Sequence, residues 1–477
     1  MKKLILIIFS LVFLSNNVVA NDLSVEKFHE WLFENGHTEY VNIVQKEGCK
    51  KLIQKHGLKV PKVGLFDEPK VKTNEWFWLE CHKPQITNNL KIKFFKKKDG
   101  KIRDSIPWNA KKISDDTLLY YGFVRSKKAD LMGGKWLTEA SSNPYEFEFD
   151  LREDKKVDKE LKKSAMMSYL LFENGKITVD KKSPEDRFGI LLHEDAKLFA
   201  SSIGKTIVSY VLGNAVCEGY IDGVNSKIDD WPLIKNTLYD GQKIIDIINM
   251  SAGDQEYINV NERVKKTGKT AGGYTIKYLM EEVFKNSTKK KQKWNYSGLP
   301  PHLINNYIWF KSNGDYQKIL DKTFKEKAKI KNSVQFRPKD YEKNYEDRIA
   351  TYEDGILDSH FWATRYDYLR IAKAMLDDWQ NDTCVGKYLK TVFNNRVNKN
   401  YQGNVDNNSN WFNPKQYAGF FHTGYTGMKD RAVMGMDGSG GQSIMIDFDR
   451  GRIIVIKSIH NNYNWKKIAH SVIKKGK

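Results

Sequence analysis

Near the two ends of the chain's last two-thirds, apolar runs and tight turns alternate in the same way. Met166 to Phe172 is one apolar run, Asn174-Gly175 suits a tight primed turn, and Ile177-Thr178-Val179 resumes the pattern. Ser443 to Phe448, the turn Asp449-Arg450-Gly451 and Ile453 to Ile456 repeat it, and helical spacing follows around Trp465 to Ile473. Between these stretches the apolar positions recur mostly with helical spacing: Ile244 to Ile248, Leu303 to Phe310 after Pro300-Pro301, and Tyr368 to Leu376 after a Thr364 cap with Asp367 three residues on. One helix, starting near Ser202, is apolar at Ile207, Val208, Tyr210, Val211 and Val216. Strands from both ends with helices between predict an α/β protein of α+β type. It has a central antiparallel sheet and a mostly helical lobe, with the Ser202 helix buried between them.

Residues 21–150 read as a separate amino-terminal part of unknown role. Phe28, Trp31 and Leu32 give a helical stripe that breaks near Asn35-Gly36, and Tyr40 to Ile53 resumes it up to Gly57. Ile92 to Phe95 with a turn at Asp99-Gly100 predicts a strand pair. The charged stretch Asp150 to Lys163 suits a linker or an exposed helix. Residues 1–20 have the features of a secretory signal: basic Lys2 and Lys3, apolar Leu4 to Leu14, and small residues at Val18-Val19-Ala20. No later segment is apolar for long enough to span a membrane. The expectation is an exported chain, periplasmic or secreted.

Charge narrows the partners. With 79 basic and 59 acidic residues, the formal net charge is +20. The excess is mostly lysine in short runs such as Lys96-Lys97-Lys98 and Lys289-Lys290-Lys291, which read as a solvated surface with a weak attraction to anionic envelope polymers. Export and the lack of a reader motif exclude nucleic acid as the expected partner. Export also permits disulfides among Cys49, Cys81, Cys217 and Cys384. Cys49 with Cys81 is the natural pair by position, leaving Cys217 as a core residue. No Cys/His spacing is that of a zinc site.

The chemistry centres on Ser202-Ile203-Gly204-Lys205. A three-residue offset at a helix start puts hydroxyl and amine on one face. There the positive end of the helix dipole and apolar neighbours disfavour a charged amine, so the lysine accepts the serine proton and the serine becomes a nucleophile without histidine. The same spacing recurs at Ser24/Lys27, Ser287/Lys290 and Ser471/Lys474, as a lysine-rich chain produces by chance. Context sets Ser202 apart. The Asn174-Gly175 hairpin precedes Leu198-Phe199-Ala200-Ser201-Ser202, and Cys217-Glu218-Gly219-Tyr220-Ile221-Asp222 and Ile247-Ile248-Asn249-Met250-Ser251-Ala252-Gly253 follow it. Further on come Trp294-Asn295-Tyr296-Ser297-Gly298, His422-Thr423-Gly424-Tyr425-Thr426-Gly427 and Gly435-Met436-Asp437-Gly438-Ser439-Gly440-Gly441-Gln442.

In these ordered pieces, residues from about 160 to 475 resemble the serine hydrolases related to class C β-lactamases. That group includes D-alanyl-D-alanine carboxypeptidases, esterases and 6-aminohexanoate-dimer-type amidases. The resemblance implies a β-lactamase/transpeptidase-like fold, Ser202 as nucleophile, and Lys205 and Tyr296 as the groups that move its proton. It implies a small-molecule or peptide-like acyl substrate and no metal or organic cofactor.

The family's third motif, a basic residue two before a glycine, has two candidates. The segment at 435–442 is preferred because it leads without a gap into the last strand pair. There Gly438 and Gly441 let backbone approach the substrate, and the N–H groups of Ser439 and Ser202 form an oxyanion hole. The segment at 422–427 matches better residue by residue, and His422 lines the pocket in either case. Two departures stand out. Gly298 replaces the family's asparagine and Met436 its basic residue, which points away from β-lactam turnover toward an amidase or esterase. The competing readings are a non-catalytic binding protein on the same fold and an envelope-polymer binder.

Overall fold

In the computed structural model of this chain, the described residues are 136–475 apart from 260–262, 269–270, 272–273, 339–356 and 400–413. The expected signal, the amino-terminal helical stripes, the strand pair near residue 95, and Cys49 and Cys81 all lie outside them.

The chain enters through two short strands, β1 (Leu137–Thr138) and β2 (Glu148–Phe149), then a helix, α1 (Lys155–Lys163). Of the two readings of the charged stretch, linker or exposed helix, it is a helix that forms. Asp154 caps it by accepting from the backbone N–H of Lys156 and Val157, and Val157 and Leu161 are buried. The folded unit therefore reaches amino-terminal of position 160.

The predicted hairpin follows as β3 (Met166–Glu173) and β4 (Lys176–Lys182). Its turn has Asn174 and Gly175 at φ +54° and +79°, the signs a primed turn requires. All eight residues of β3 are buried, because both its faces are covered: Met167, Leu170 and Phe172 enter one apolar cluster and Met166, Tyr169 and Leu171 another.

A strand of two residues, β5 (Leu198–Phe199), delivers the chain to α2 (Ile203–Cys217), of which thirteen residues are buried. A helix apolar on all sides can only be stable when covered on all sides, and α2 is the central helix. A small hairpin, β6 (Lys227–Ile228) with β7 (Gln242–Lys243), leads into α3 (Ile244–Ile248). Pro300 and Pro301 open α4 (Leu299–Ser312), where their missing N–H groups would have had no helical partner. Two strands, β8 (Val334–Pro338) and β9 (Leu357–Ala363), precede α5 (Arg365–Gln380) and α6 (Cys384–Asn394). The Thr364 cap forms as expected, its hydroxyl accepting from Asp367 N–H at 3.1 Å.

The chain closes with β10 (Val397–Asn398), β11 (Gln416–Ala418), β12 (Phe421–Thr423), β13 (Val433–Gly438), β14 (Gln442–Asp447), β15 (Arg452–Ser458) and a last helix that widens into a π-helical turn at Lys466–His470 and ends as α7 (Ser471–Lys475). The main sheet has nine strands in the order β10-β11-β12-β13-β14-β15-β3-β4-β2. The two predicted strand pairs meet inside it, at its sixth and seventh strands, where β15 runs antiparallel to β3 (Val455 opposite Leu170). The strand β2 adds to β4 in parallel. Beyond the single expected sheet there are two more among the described residues, the four-stranded β1-β8-β9-β5 and the two-stranded β6-β7.

Cys217 is not simply a core residue. It is disulfide-bonded to Cys384, joining the end of α2 to the start of α6. Among the described residues no helix is long and apolar enough to cross a membrane.

Candidate active site

Three constraints fix where Ser202 stands. The strand β5 pairs with β9 (Phe199 opposite Trp362), and Ala200 N–H continues the pairing to Phe361 C=O at 2.8 Å. Ser201 then takes φ +52°, a left-handed turn that a non-glycine residue adopts only when its surroundings demand it. The helix starts at once, with Ser202 at its N-cap. Finally, β9 lies so close to α2 that a Cβ on Gly204 would sit 1.8 Å from the carbonyl oxygen of Ser359. Only glycine lets the first turn of α2 press against that strand.

The helical offset brings the pair together as the sequence predicts. Lys205 Nζ donates to Ser202 Oγ at 2.9 Å, with Lys205 buried and Ser202 partly exposed. The same nitrogen lies 5.0 Å from the centre of the Tyr296 ring. Tyr296 sits in the loop just ahead of α4, and buried polar anchors hold that loop. Asn295 N–H donates to Met250 C=O at 2.7 Å, and its side-chain amide donates to Asp254 Oδ1 at 2.8 Å and to Ile258 C=O at 2.9 Å. Tyr239 donates to the other oxygen of Asp254 at 2.8 Å, and burial raises the pKa of that carboxyl. The segment Ile247 to Gly253 thus has a structural role. Asn249 also accepts from Gly419 N–H at 2.7 Å, tying this segment to the turn between β11 and β12.

Both candidates for the third motif lie at the site, on neighbouring strands. A Cβ on Gly438 would lie 2.4 Å from the carbonyl of Ala200, so the end of β13 touches the backbone two residues before Ser202. Ser439 follows, exposed, at the tip of the turn into β14. Gly441 is used differently from expectation. It has φ +80°, a Cβ there would lie 2.5 Å from His460 C=O, and its own carbonyl accepts from Tyr463 at 2.8 Å. It shapes the turn against the rest of the protein.

His422 stands on β12, its partner across the ladder being Gly435 of β13. Its ring is stacked at 6.2 Å from that of Tyr296 and meets Tyr417 edge-on at 5.2 Å.

The sequence reading missed Lys399. Its Nζ is 2.7 Å from His422 Nδ1, and the ammonium lies over the rings of Trp294 at 5.2 Å and Tyr417 at 5.9 Å. With Lys399 donating, the imidazole carries its proton on Nε2, which faces Asp437 Oδ2 at 3.8 Å. Burial first, then the positive charges of Lys399 and Lys205, hold the pKa of His422 well below its ordinary value of 6.5. His422 is therefore neutral at physiological pH. A lone lysine beside an unread segment gives no sequence signal; only the strand pairing that lays β10 beside β11 brings it in.

The other Ser-x-x-Lys copies that fall among the described residues have ordinary structural duties. Ser287 Oγ accepts from Leu238 N–H at 2.8 Å, and Ser471 donates to Lys467 C=O one turn back.

No protein-family model and no curated protein matches this chain. Among solved structures, it is similar to a protein of Bacillus anthracis described as a 6-aminohexanoate-dimer hydrolase, at 13% identity over 74% of this chain and 92% of that one, with a TM-score of 0.51. FmtA of Staphylococcus aureus gives 15% identity over 71% and 94% of the two chains, with a TM-score of 0.43. A class C β-lactamase of Rhodobacter sphaeroides gives 12% over 65% and 93%, with a TM-score of 0.44. The first of these likenesses shows that the chain has the fold of the β-lactamase-related serine hydrolases.

Proposed function

We propose that this protein is an exported serine hydrolase that cleaves an ester or amide through an acyl-enzyme on Ser202. One observation carries the reading: a serine hydroxyl at a helix start bonded at 2.9 Å to a buried lysine amine, which in turn lies 5.0 Å from the ring of Tyr296.

In the proposed cycle Lys205, as the free amine, takes the proton of Ser202 while Oγ attacks the substrate carbonyl. The N–H groups of Ser202 and Ser439 receive the negative charge of the tetrahedral intermediate. Tyr296 hands a proton to the leaving amine or alcohol and is reprotonated through Lys205, leaving the acyl group on Oγ. Water then attacks the ester, the same two groups accept its proton, and the acid departs with Ser202 restored. No metal or organic cofactor enters these steps.

Met436 is buried and Gly298 caps α4, so neither supplies the polar contact to substrate that a β-lactamase has at its equivalent position. This favours an amidase or esterase of small-molecule or peptide-like substrates. Export is supported by the signal-like residues 1–20 and by the Cys217–Cys384 disulfide, which persists in oxidising compartments.

Fluorophosphonate labelling with intact-mass readout tests the proposal. One adduct at Ser202 that vanishes in Ser202→Ala, with turnover in a screen of short acyl esters, D-amino-acid peptides and linear amides, supports it. A folded protein that takes no label is instead a binding protein on the same fold.

A further inference from the structure

A second cluster of reactive side chains lies behind the nucleophile. His302, on the second turn of α4, and Asp358 and His360, on β9, each turn one ligand-type atom toward the others, all within 4.8 Å. His302 Nε2 is 3.0 Å and His360 Nδ1 2.6 Å from the same oxygen, Asp358 Oδ1. The backbone N–H of His360 donates to that oxygen at 2.9 Å and so fixes the carboxylate's orientation. Asp358 and His302 are buried, whereas the His360 side chain is 32% exposed, which leaves an approach from solvent.

We propose that His302, Asp358 and His360 form a binding site for a divalent transition-metal ion of the zinc class. Two imidazoles and one carboxylate suit zinc, cobalt and their neighbours, and disfavour magnesium and calcium, which take oxygen donors. The oxygen-to-nitrogen separations are those of hydrogen bonds, and opening them to the about 3.3 Å between adjacent tetrahedral ligands asks the rings to move by less than about 1 Å. On binding, each ring's proton moves from the coordinating nitrogen to the other one, and the ion replaces the hydrogen bonds that the three groups now share. Three protein ligands leave one tetrahedral position for water, reached past His360.

The position in the fold gives the ion its role. His302 is six residues beyond Tyr296, Ser359 between the two β9 ligands touches Gly204, and the His360 ring stacks on Phe199 at 5.2 Å, three residues before Ser202. The ion would thus clamp the elements that carry Ser202, Lys205 and Tyr296 without touching substrate. The binding claim is independent of the hydrolase reading.

The test uses the full chain, stripped with a chelator and titrated with Co²⁺ or Zn²⁺ alone. The expected result is one tightly held equivalent after gel filtration, a visible Co²⁺ spectrum of tetrahedral intensity, and a raised melting temperature. His360→Ala, at the partly exposed ligand, should weaken binding by roughly 100-fold or more and abolish the spectrum. Asp358→Asn and His302→Ala should do the same; if either fails to fold, His360→Ala decides alone. A wild-type protein that holds no equivalent after filtration, or an equivalent that survives in His360→Ala, overturns the proposal and leaves a hydrogen-bonded His-Asp-His cluster. All three readouts are free of activity, so they stand whether or not Ser202 takes a label.

Discussion

At the scale of single residues, the site consists of one hydroxyl, the lysine nitrogen bonded to it and an aromatic wall beside them. Ser202→Ala should remove labelling and turnover while leaving the melting temperature almost unchanged. Tyr296→Phe keeps the ring beside Lys205 and removes only the hydroxyl, so kcat should fall about 10²- to 10⁴-fold with KM little altered; an unchanged kcat in steady-state assays would exclude Tyr296 from the proton path.

His422 makes a prediction about pH. Its folded pKa lies below its unfolded value, so under acidic conditions the unfolded chain binds a proton that the folded one refuses. Stability contributed by neutral His422 is present above about pH 6.5 and is lost as the pH falls below it, at up to about 1.4 kcal/mol per pH unit. Urea melts from pH 7.5 to 5 should show this slope in the native protein and a flatter one in His422→Gln.

Among the elements, α2 matters most, and it is held at both ends. Its first turn needs Gly204 because the carbonyl of Ser359 leaves no room for a Cβ. Gly204→Ala should force strand and helix apart, costing about 1–3 kcal/mol by thermal melts and slowing the labelling of Ser202 by more than the lost stability explains. Its last turn is tied by the disulfide from Cys217 to Cys384, which closes a loop of 167 residues. Reduction, or Cys217→Ser with Cys384→Ser, should lower stability by as much as roughly 5 kcal/mol, since the cross-link restricts the unfolded chain most when the loop is long.

Over the whole molecule, the excess of lysine acts as a diffuse field. A net charge of +20 should draw the protein to anionic envelope polymers, and the attraction should fade as salt shortens the screening length from about 10 Å at 0.1 M to about 3 Å at 1 M. Co-sedimentation with cell-wall material across that range measures it; retention that ignores salt would point to a specific binding site. Among the described residues the run Lys289-Lys290-Lys291 is exposed, where side chains meet water, and so carries no information on the fold.

What the sequence determined by itself is local. Apolar alternation and Asn174-Gly175 specify a hairpin whose φ angles the structure repeats, the Thr364 cap forms with Asp367, and a three-residue spacing places Lys205 on Ser202 because helical geometry leaves no other choice. Such features depend on neighbours along the chain, so they are legible from it. Tertiary structure alone decided the rest. It paired β15 with β3, joined Cys217 to Cys384, set Gly438 against Ala200, brought Lys399 to His422, and gathered His302 with Asp358 and His360. In each case the partners are far apart in sequence, and the shared apolar core that packs sheet against helices is what makes them neighbours.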